Sequence, residues 1–542
     1  MRAWSCKINF VAVRESTMIE GVNPMKSIRL RSLASGAFLL TLTALSATSH
    51  AQTGQGRTVY SEEEMMLDWP TAPENKKYRA VQIPQLKRTV EQLATFSREY
   101  RDKVNPQVWG RIIGTSAHSN AMAWIGSEFK AMGITDVRTQ PLDLPPQVWV
   151  KSWTAVLTSS GKQFELKSAV VPSHGDRRRI RDVNLSQTPV EYIGLGTAAD
   201  VRGRNLRGKA VMIFSAPQPG LYSHGARFSG AIERAEAAGA VAIILAVGLP
   251  GNVSGQALIP GGKIPVFVVG QDEFITARAM LEQGATSFDA SVTAETVNNA
   301  KTSLVIGVLP GTSDESIFVS AHVDGYYEAA YDNGGGVAAM MELARYYARI
   351  PQAQRRRTMY FVANPGHHEP HRVGSQWILK NMVPELKRAA LITNIEHVAY
   401  VQSINYPRGL QRFNSGSAAM SWYAGGSDTF RKMAIDSLRA FGVGAYMRPG
   451  QEIQADAKME VNPQGIVTYG GPASDIMDLA HLAPFFQIIS ADWPYHSTED
   501  KVSIVHWPAL ANVTRAYARF IDQVNTLDLK DLQSMGHPLK TK

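Results

Sequence analysis

Apolar and polar residues follow different periodicities in different parts of the chain. In residues 85–101 and 119–132 the apolar positions recur at helical spacing, which predicts two helices. From residue 301 onward, short apolar runs rich in β-branched residues alternate with stretches of helical spacing. Such alternation is typical of α/β proteins, so we predict a mostly parallel or mixed sheet flanked by helices.

A different pattern occupies the middle of the chain. Between residues 148 and 300, short apolar runs are separated by Gly and Pro, and two helix-like stretches lie among them. This predicts a compact β/α module inserted into the larger fold. The chain then divides into an N-terminal part (52–147), the insertion (148–300) and a main catalytic-type domain (301–542).

The first 51 residues carry the three features of a secretory signal peptide. A basic segment begins at Met25, an apolar run follows at 36–47, and Ser49-His50-Ala51 is a small-x-small cleavage pattern. We therefore expect residues 1–51 to be removed, Met25 to be a candidate start, and the protein to be periplasmic or secreted. The single cysteine, Cys6, lies in this segment, so the exported chain would contain no disulfide.

Composition narrows the class of protein further. Of the 542 residues, 44% are hydrophobic and 19% are charged, which excludes a disordered chain. The formal net charge is +9, and residues 1–51 hold six Lys/Arg and two Asp/Glu, which leaves about +5 for the rest. We expect no nucleic-acid partner from so mild a charge, and no apolar run is long enough to span a bilayer. The sequence leaves a homodimer open.

Polar residues cluster where the predicted strands end, which is where α/β sheets place their sites. Taken singly, each has an ordinary interpretation, such as a helix cap or a paired surface residue. Together they provide two imidazoles and three carboxylates, a set that suits two divalent cations with nitrogen and oxygen ligands. These candidate ligands are His322, Asp332, Glu369, Glu396 and His496.

The order of these motifs resembles the co-catalytic zinc aminopeptidase family, which also includes glutamate carboxypeptidase and the transferrin receptor. The matching stretches are Ala321-His322-Val323-Asp324, Tyr331 to Val337, Gly374-Ser375, and Tyr495 to Asp500. Residues 185–295 also resemble the protease-associated domain. The resemblance implies a zinc exopeptidase-like fold with an inserted protease-associated domain.

The same resemblance implies how the ligands would be shared between two zinc ions. His322, Asp332 and Glu396 would hold one ion, and Asp332, Glu369 and His496 the other, so that Asp332 bridges them. The family usually carries Asp at the position of Glu396, although a longer acid can still ligate.

Three further residues would take part in catalysis if the resemblance holds. Asp324 would orient a ligand histidine, and Tyr495 would donate to the developing oxyanion. The family normally has Glu-Glu before Gly-Ser, whereas counting back from Gly374 puts His368 at the base and Glu369 at the ligand. An imidazole can accept a proton from an activated water. The alternatives are that His368 ligates a metal directly or merely fills space.

We therefore predict an exported zinc-dependent hydrolase that cleaves a peptide or small amide. Because the usual base is replaced, a catalytically impaired receptor or binding protein on the same scaffold is an alternative. Acyl transfer is a third, since it would share the ligands and differ only in products.

Overall fold

The structure is a computed structural model. It describes residues 71–536, apart from 173–179, 216–229, 250, 254, 257–261, 370, 407–408, 418–419, 425–427, 444, 447–458, 462–466, 470–478, 480–481 and 490–494. All described residues belong to one compact unit, Gln52–Lys542. The predicted signal peptide lies outside the described residues.

Helices account for both ends of the described chain and for most crossovers between strands. The α-helices of the described part are α1 (Ile83–Lys103), α2 (Ser116–Ala131), α3 (Ala198–Val201), α4 (Ala231–Ala237), α5 (Gln271–Gln283), α6 (Gly335–Ala348), α7 (Val373–Asn381), α8 (Val383–Lys387), α9 (Asp428–Arg439), α10 (Trp507–Val524) and α11 (Leu529–Gly536). Short 3₁₀ helices span Pro73–Ala80, Gln352–Gln354 and Val502–Ile504, and a π-turn spans Ala330–Gly334.

Strands form two large sheets and several small pairs. The strands are β1 (Gly110–Arg111), β2 (Asp136–Asp143), β3 (Gln147–Ser159), β4 (Lys162–Glu165), β5 (Val183–Tyr192), β6 (Ala210–Ser215), β7 (Ala242–Val247), β8 (Val266–Val269), β9 (Thr286–Val297), β10 (Lys301–Leu309), β11 (Ser316–His322), β12 (Gly325–Tyr326), β13 (Thr358–Asn364), β14 (Ala389–Ile395), β15 (Val401–Tyr406), β16 (Gly409–Ser417), β17 (Met420–Ala424), β18 (Ala445–Tyr446), β19 (Met459–Val461), β20 (Val467–Tyr469) and β21 (Phe485–Ile489).

The main sheet has eight strands in the order β18-β17-β21-β14-β11-β13-β10-β2. Its centre is parallel, because β11 pairs in parallel with β13 and β14, and β14 with β21. The edges are mixed, since β10 runs antiparallel to β13 and β17 antiparallel to β21. The predicted α/β fold with a mostly parallel or mixed sheet is confirmed.

Helices cover both faces of this sheet, which explains its apolar sequence. Every residue of β11 and of β14 is buried, as expected for parallel strands enclosed on both sides. One face packs against α1, α2, α6 and α10, and the other packs against α7 and α8. Because the helices hold the strands on both sides, the residues that follow the strand ends are fixed in position.

The second sheet is built entirely from the middle of the chain. Its seven strands run in the order β4-β3-β9-β5-β6-β7-β8. Strands β5 to β8 are parallel neighbours, whereas β9 runs antiparallel to both β3 and β5. The apolar runs at 208–214, 241–247 and 264–269 predict three strands, which overlap β6 to β8; helical spacing at 231–238 and 274–284 predicts two helices, which overlap α4 and α5. The long pair β3/β9 carries many polar residues on its outer positions.

The chain leaves the main sheet after β2 and returns to it at β10, the strand that pairs with β2. β2 pairs with β10 in the main sheet, where Asp143 lies opposite Lys301. β3 pairs with β9 in the second sheet, where Gln147 lies opposite Val297. The segment between them therefore leaves and re-enters the main fold at a single place, as an insertion does. None of the helices in the described part combines the length and apolarity that a bilayer crossing demands.

Candidate metal centre

The centre begins at the carboxyl end of β11, in the middle of the main sheet. His322 is the last residue of this strand and is fully buried. Its Nδ1 lies 3.0 Å from the backbone oxygen of Asp324. Its Nε2 lies 3.3 Å from Oδ1 of Asp332, and among the described residues this nitrogen has no hydrogen-bond partner of good geometry. The ring is thus anchored through one nitrogen and presents the other to Asp332.

The Asp324 carboxylate is a fixed acceptor beneath the loop that follows β13. It receives backbone N–H groups from Gly366, His367 and His368 at 2.8–3.1 Å. It also lies 3.0 Å from Nδ1 of His368. Burial opposes ionisation, but the neighbouring imidazoles, His368 first, hold the pKa of Asp324 well below its usual value. The ionised form of Asp324 is therefore favoured beneath this loop.

The resemblance implies that Asp324 orients His322. The Asp324 carboxylate lies 3.7 Å from Nδ1 of His322 and closer, at 3.0 Å, to Nδ1 of His368. The reason is the tight turn after β13, whose consecutive N–H groups point at the carboxylate. Asp324 does position His322, through its backbone oxygen.

The Asp332 carboxylate is the point at which the imidazoles converge. Oδ1 contacts two Nε2 atoms and Oδ2 contacts two more, on four different histidines. These distances are 2.9 Å to His397, 3.3 Å to His322, 3.0 Å to His496 and 3.4 Å to His368. Burial opposes ionisation here too, but the histidines, with His397 first, lower the pKa of Asp332 well below its usual value.

Asp500 and Asn333 hold the Asp332 segment in place. Asp500 accepts the backbone N–H groups of Tyr331 (2.6 Å) and Asp332 (3.0 Å). Burial, followed by repulsion from the Asp332 carboxylate, raises the pKa of Asp500 to about 8. The Asn333 amide donates to the oxygen of Ile395 and accepts the N–H of His397, so it ties the turn to the end of β14.

The end of β14 contributes an acid and a histidine. Glu396 and His397 are both buried. Oε2 of Glu396 accepts from Nδ2 of Asn394 at 2.7 Å, which leaves Oε1 facing Nε2 of His367 at 3.5 Å and Nε2 of His397 at 3.7 Å. The strand end thus aims one carboxylate oxygen into the same space as the imidazoles.

His496 is held by the insertion. Gln256 donates its backbone N–H to the backbone oxygen of His496 at 2.9 Å. The backbone oxygen of Gln256 lies 3.3 Å from Nδ1 of His496. Gly255 pairs with Ser497 in an antiparallel bridge. A Cβ on Gly255 would overlap the backbone oxygen of His496, so the approach requires glycine. The insertion therefore fixes the ring orientation of a predicted ligand.

Glu369, which the resemblance implies as a ligand, lies outside the three candidate metal groups of the described residues. Its Oε2 accepts the N–H of His371 at 2.9 Å, and its Oε1 lies 3.9 Å from Nε2 of the same residue. The turn from Gly366 to Arg372 directs the carboxylate back onto its own backbone. Among the described residues, the place beside Asp332 and His496 is taken by His368.

Two tyrosines line the same space. The ring of Tyr495 stacks on His496 at 3.5 Å and lies 5.2 Å from the ring of His397. The ring of Tyr326 lies 5.3 Å from that of His368 and 5.0 Å from that of His496. The predicted oxyanion donor, Tyr495, is therefore a neighbour of the cluster.

The donor set fits divalent cations. Within the part of the chain that the structure describes, three groups of side chains could each hold an ion: His322, His367, Glu396 and His397; His322, Asp324 and His368; and Asp332, His368 and His496. Buried carboxylates require a cationic partner, because leaving their charge unpaired in a protein interior is costly. Burial alone would lower the pKa of His368, but Asp332 and Asp324 raise it to about 10. The site as a whole attracts positive charge.

Among the described residues, His397, His367 and Asp500 also lie at the centre. His397 directly follows Glu396, so the argument that selects one strand-end residue applies equally to the other. The sequence places His367 at the rim or facing the substrate, and a shifted register would make it a ligand; its side chain is 15% exposed. Asp500 ends the Tyr495 to Asp500 stretch, but no local pattern indicates that it would bond the Asp332 segment.

The strand ends and the segments that follow them bring histidines and carboxylates of the described residues together as a candidate metal centre. Residues 304–521 match the model of Peptidase family M28.

Two proteins that are named as aminopeptidases are similar to this chain in sequence. Aminopeptidase YwaD of Bacillus subtilis is 24% identical over 326 residues, which cover 59% of this chain and 65%, just under two thirds, of that protein. A probable leucine aminopeptidase 2 of Arthroderma benhamiae is 22% identical over 475 residues, or 83% of this chain and 86% of that protein.

Solved structures share the fold. A Peptidase M28 precursor from Shewanella amazonensis has a TM-score of 0.56 at 16% identity and covers 82% of this chain and 97% of its own. BSAP, a zinc aminopeptidase from Bacillus subtilis, has a TM-score of 0.54 at 18% identity, with 85% and 99% coverage. At these identities the likeness concerns the fold alone.

Proposed function

We propose that the chain is an exported, zinc-dependent peptide hydrolase of the aminopeptidase type. Its reaction would take place at the cluster around Asp332, with two zinc ions. The residues that would hold them are His322, Asp332 and Glu396 for one ion, and Asp332, His368 and His496 for the other.

One repeated contact pattern carries this proposal. His322, His368 and His496 each direct Nδ1 to an oxygen acceptor, at 3.0, 3.0 and 3.3 Å, and each directs Nε2 to Asp332. Histidines that ligate a metal usually donate their second ring N–H to a carboxylate or backbone oxygen in this way. The pattern at all three rings supports a metal centre over a simple buried polar network.

The same pattern bears on the base. When bound, two divalent cations polarise a substrate carbonyl and activate a water. His368 directs Nδ1 to Asp324 and Nε2 to Asp332, so neither nitrogen is directed toward a substrate. These contacts favour a ligand role for His368 over the base role that its sequence position suggests.

Tyr495 would donate a hydrogen bond to the oxyanion that develops in the transition state. Its ring is stacked against His496, which restricts its rotamers and supports a fixed donor near the cations. A preorganised donor of this kind stabilises charge that develops only in the transition state.

The proposal also covers two parts of the chain outside the metal centre, residues 148–300 and the N-terminal segment. We propose that residues 148–300 form a protease-associated-like domain, which their separate seven-stranded sheet supports. The signal-like pattern of residues 25–51 supports export.

A cleavage assay tests the function. The purified protein is given leucine p-nitroanilide, its N-acetyl derivative and short peptides, with and without a zinc chelator. We expect cleavage of free amino ends only, loss with the chelator, and recovery with zinc. Asp332→Ala should be inactive, whereas Asp314→Ala, at an exposed acid, should match the wild type.

Two other results would contradict the proposed hydrolase activity. Zinc-loaded protein that binds peptides without cleaving them would indicate a receptor on this scaffold. Products that join the acyl group to an amine instead of water would indicate acyl transfer.

A further inference from the structure

We propose that the zinc site nearest β14 is nitrogen-rich, with His367 and His397 as direct ligands beside His322 and Glu396. This inference rests on the proposed function, because it concerns how the same centre binds its metal. The ligand set implied by resemblance gives this ion one histidine and two carboxylates. The structure instead assembles three imidazoles around it.

The spacing of the donor atoms fits a shared ion. Ligand atoms about 2.0–2.2 Å from a tetrahedral zinc are separated by roughly 3.3 Å. Nε2 of His397 lies 2.9 Å from Oδ1 of Asp332 and 3.7 Å from Oε1 of Glu396. Nε2 of His367 lies 3.5 Å from the same Glu396 oxygen. The donor atoms of His322, His367, Glu396 and His397 all lie within 4.8 Å of one another.

His397 is held in this position at a conformational cost. Its φ is 48°, in the left-handed region that non-glycine residues rarely adopt. Its N–H donates to Oδ1 of Asn333 at 3.2 Å, which secures the unusual backbone. His496, a predicted ligand, shares this feature with a φ of 56°. Strained backbone of this kind concentrates at functional sites, because the surrounding structure must hold it there.

His367 is oriented from its other side. Its N–H donates to Oδ1 of Asp324 at 3.0 Å, and its ring stacks on His322 with centroids 4.1 Å apart and planes 15° apart. The two ring planes therefore lie nearly parallel, with His367 packed directly on a predicted ligand. The side chain remains 15% exposed, so it closes the cluster on the side from which a ligand could enter.

A nitrogen-rich set has a chemical consequence. Imidazole suits zinc, copper and nickel, whereas carboxylate oxygens suit manganese and magnesium. Neutral imidazoles also add ligands without adding negative charge. We therefore expect strong binding of zinc and nickel and little binding of manganese.

The test measures metal binding directly. His367→Gln, His397→Gln and the control His371→Gln are titrated with zinc against a chromogenic chelator, and zinc-edge X-ray absorption counts the imidazoles per ion. His371 is a suitable control, because it is a nearby, 35% exposed histidine outside the group. We expect about 100-fold weaker zinc binding at one site in the first two variants. Each should also show fewer imidazoles per zinc, with no change in His371→Gln.

The outcomes separate this inference from the proposed function. If the wild type binds two zinc ions and both variants retain wild-type affinity and imidazole count, His367 and His397 are not ligands and the inference fails alone. If the wild type binds no zinc, the proposed function fails as well. Circular dichroism of each variant identifies a loss of fold, and His367→Asn and His397→Asn then replace the glutamine variants.

Discussion

His118 offers a test of how the N-terminal part of the chain packs against the main sheet. The residue lies in α2, is 1% exposed, and its Nε2 is 2.9 Å from Oγ1 of Thr302 in β10. Burial disfavours the charged ring and lowers the pKa of His118 from 6.5 to about 4. Asp324 acts in the opposite direction and raises this pKa, whereas Arg111 lowers it further. The folded chain thus keeps this ring neutral at pH values where the unfolded chain protonates it.

The sign and size of the effect follow from the two pKa values. Between pH 6.5 and 4 the unfolded state binds more protons, so the free energy of unfolding falls as the pH falls. From pH 7.5 to 5 the loss due to this one group is about 2 kcal/mol, and it approaches about 3 kcal/mol below pH 4.

The assay compares the wild type with His118→Gln by urea unfolding at several pH values. Both proteins are first freed of metal, so that ligand release does not contribute. The variant has a lower stability at pH 7.5, but it should lose about 2 kcal/mol less than the wild type between pH 7.5 and 5. Parallel curves for the two proteins would refute the reasoning, since the ring would then titrate alike in both states.

Substitutions at Arg111, Gly255 and Gly336 give three further predictions. Arg111 is fully buried and donates to three backbone carbonyls after β11, so Arg111→Met should lower the free energy of unfolding by about 3 kcal/mol or more; unchanged urea unfolding would contradict this. Gly255→Val should displace His496 and weaken zinc binding at least ~10-fold in a chelator competition, and wild-type affinity would show that the insertion does not position the ligand. A Cβ on Gly336 would overlap the carbonyl oxygen at the end of β14, so Gly336→Ala should destabilise by about 1–3 kcal/mol, more than Gly335→Ala; equal thermal melting of the two variants would refute it.

Much of the fold and part of the centre could be predicted from the sequence. Continuous apolar runs mark parallel strands buried on both faces. The runs at 316–321, 358–363 and 390–395 predict β11, β13 and β14 to within one residue at each end. Because parallel strands end at the same edge of a sheet, the residues after them were expected to meet. His322, Asp332, Glu396 and His496 do lie together.

The remaining contacts could not be predicted, because they depend on turns and on long-range packing. The loop after β13 decides whether His368 or Glu369 faces Asp332, and counting residues to Gly374 does not determine the direction of either side chain. The contact of Gln256 with His496 joins residues 240 positions apart and has no local signature. Such contacts emerge only once both sheets are assembled.

The central claim is that the cluster around Asp332 is a two-zinc centre. The most direct measurement is zinc content per chain, by elemental mass spectrometry after dialysis, for the wild type and for Asp332→Ala. We expect two zinc ions per wild-type chain and almost none in the variant, because the Asp332 carboxylate contacts imidazoles of both proposed sites. A wild type that retains no zinc when it is supplied, or a variant that retains both ions, would contradict the account.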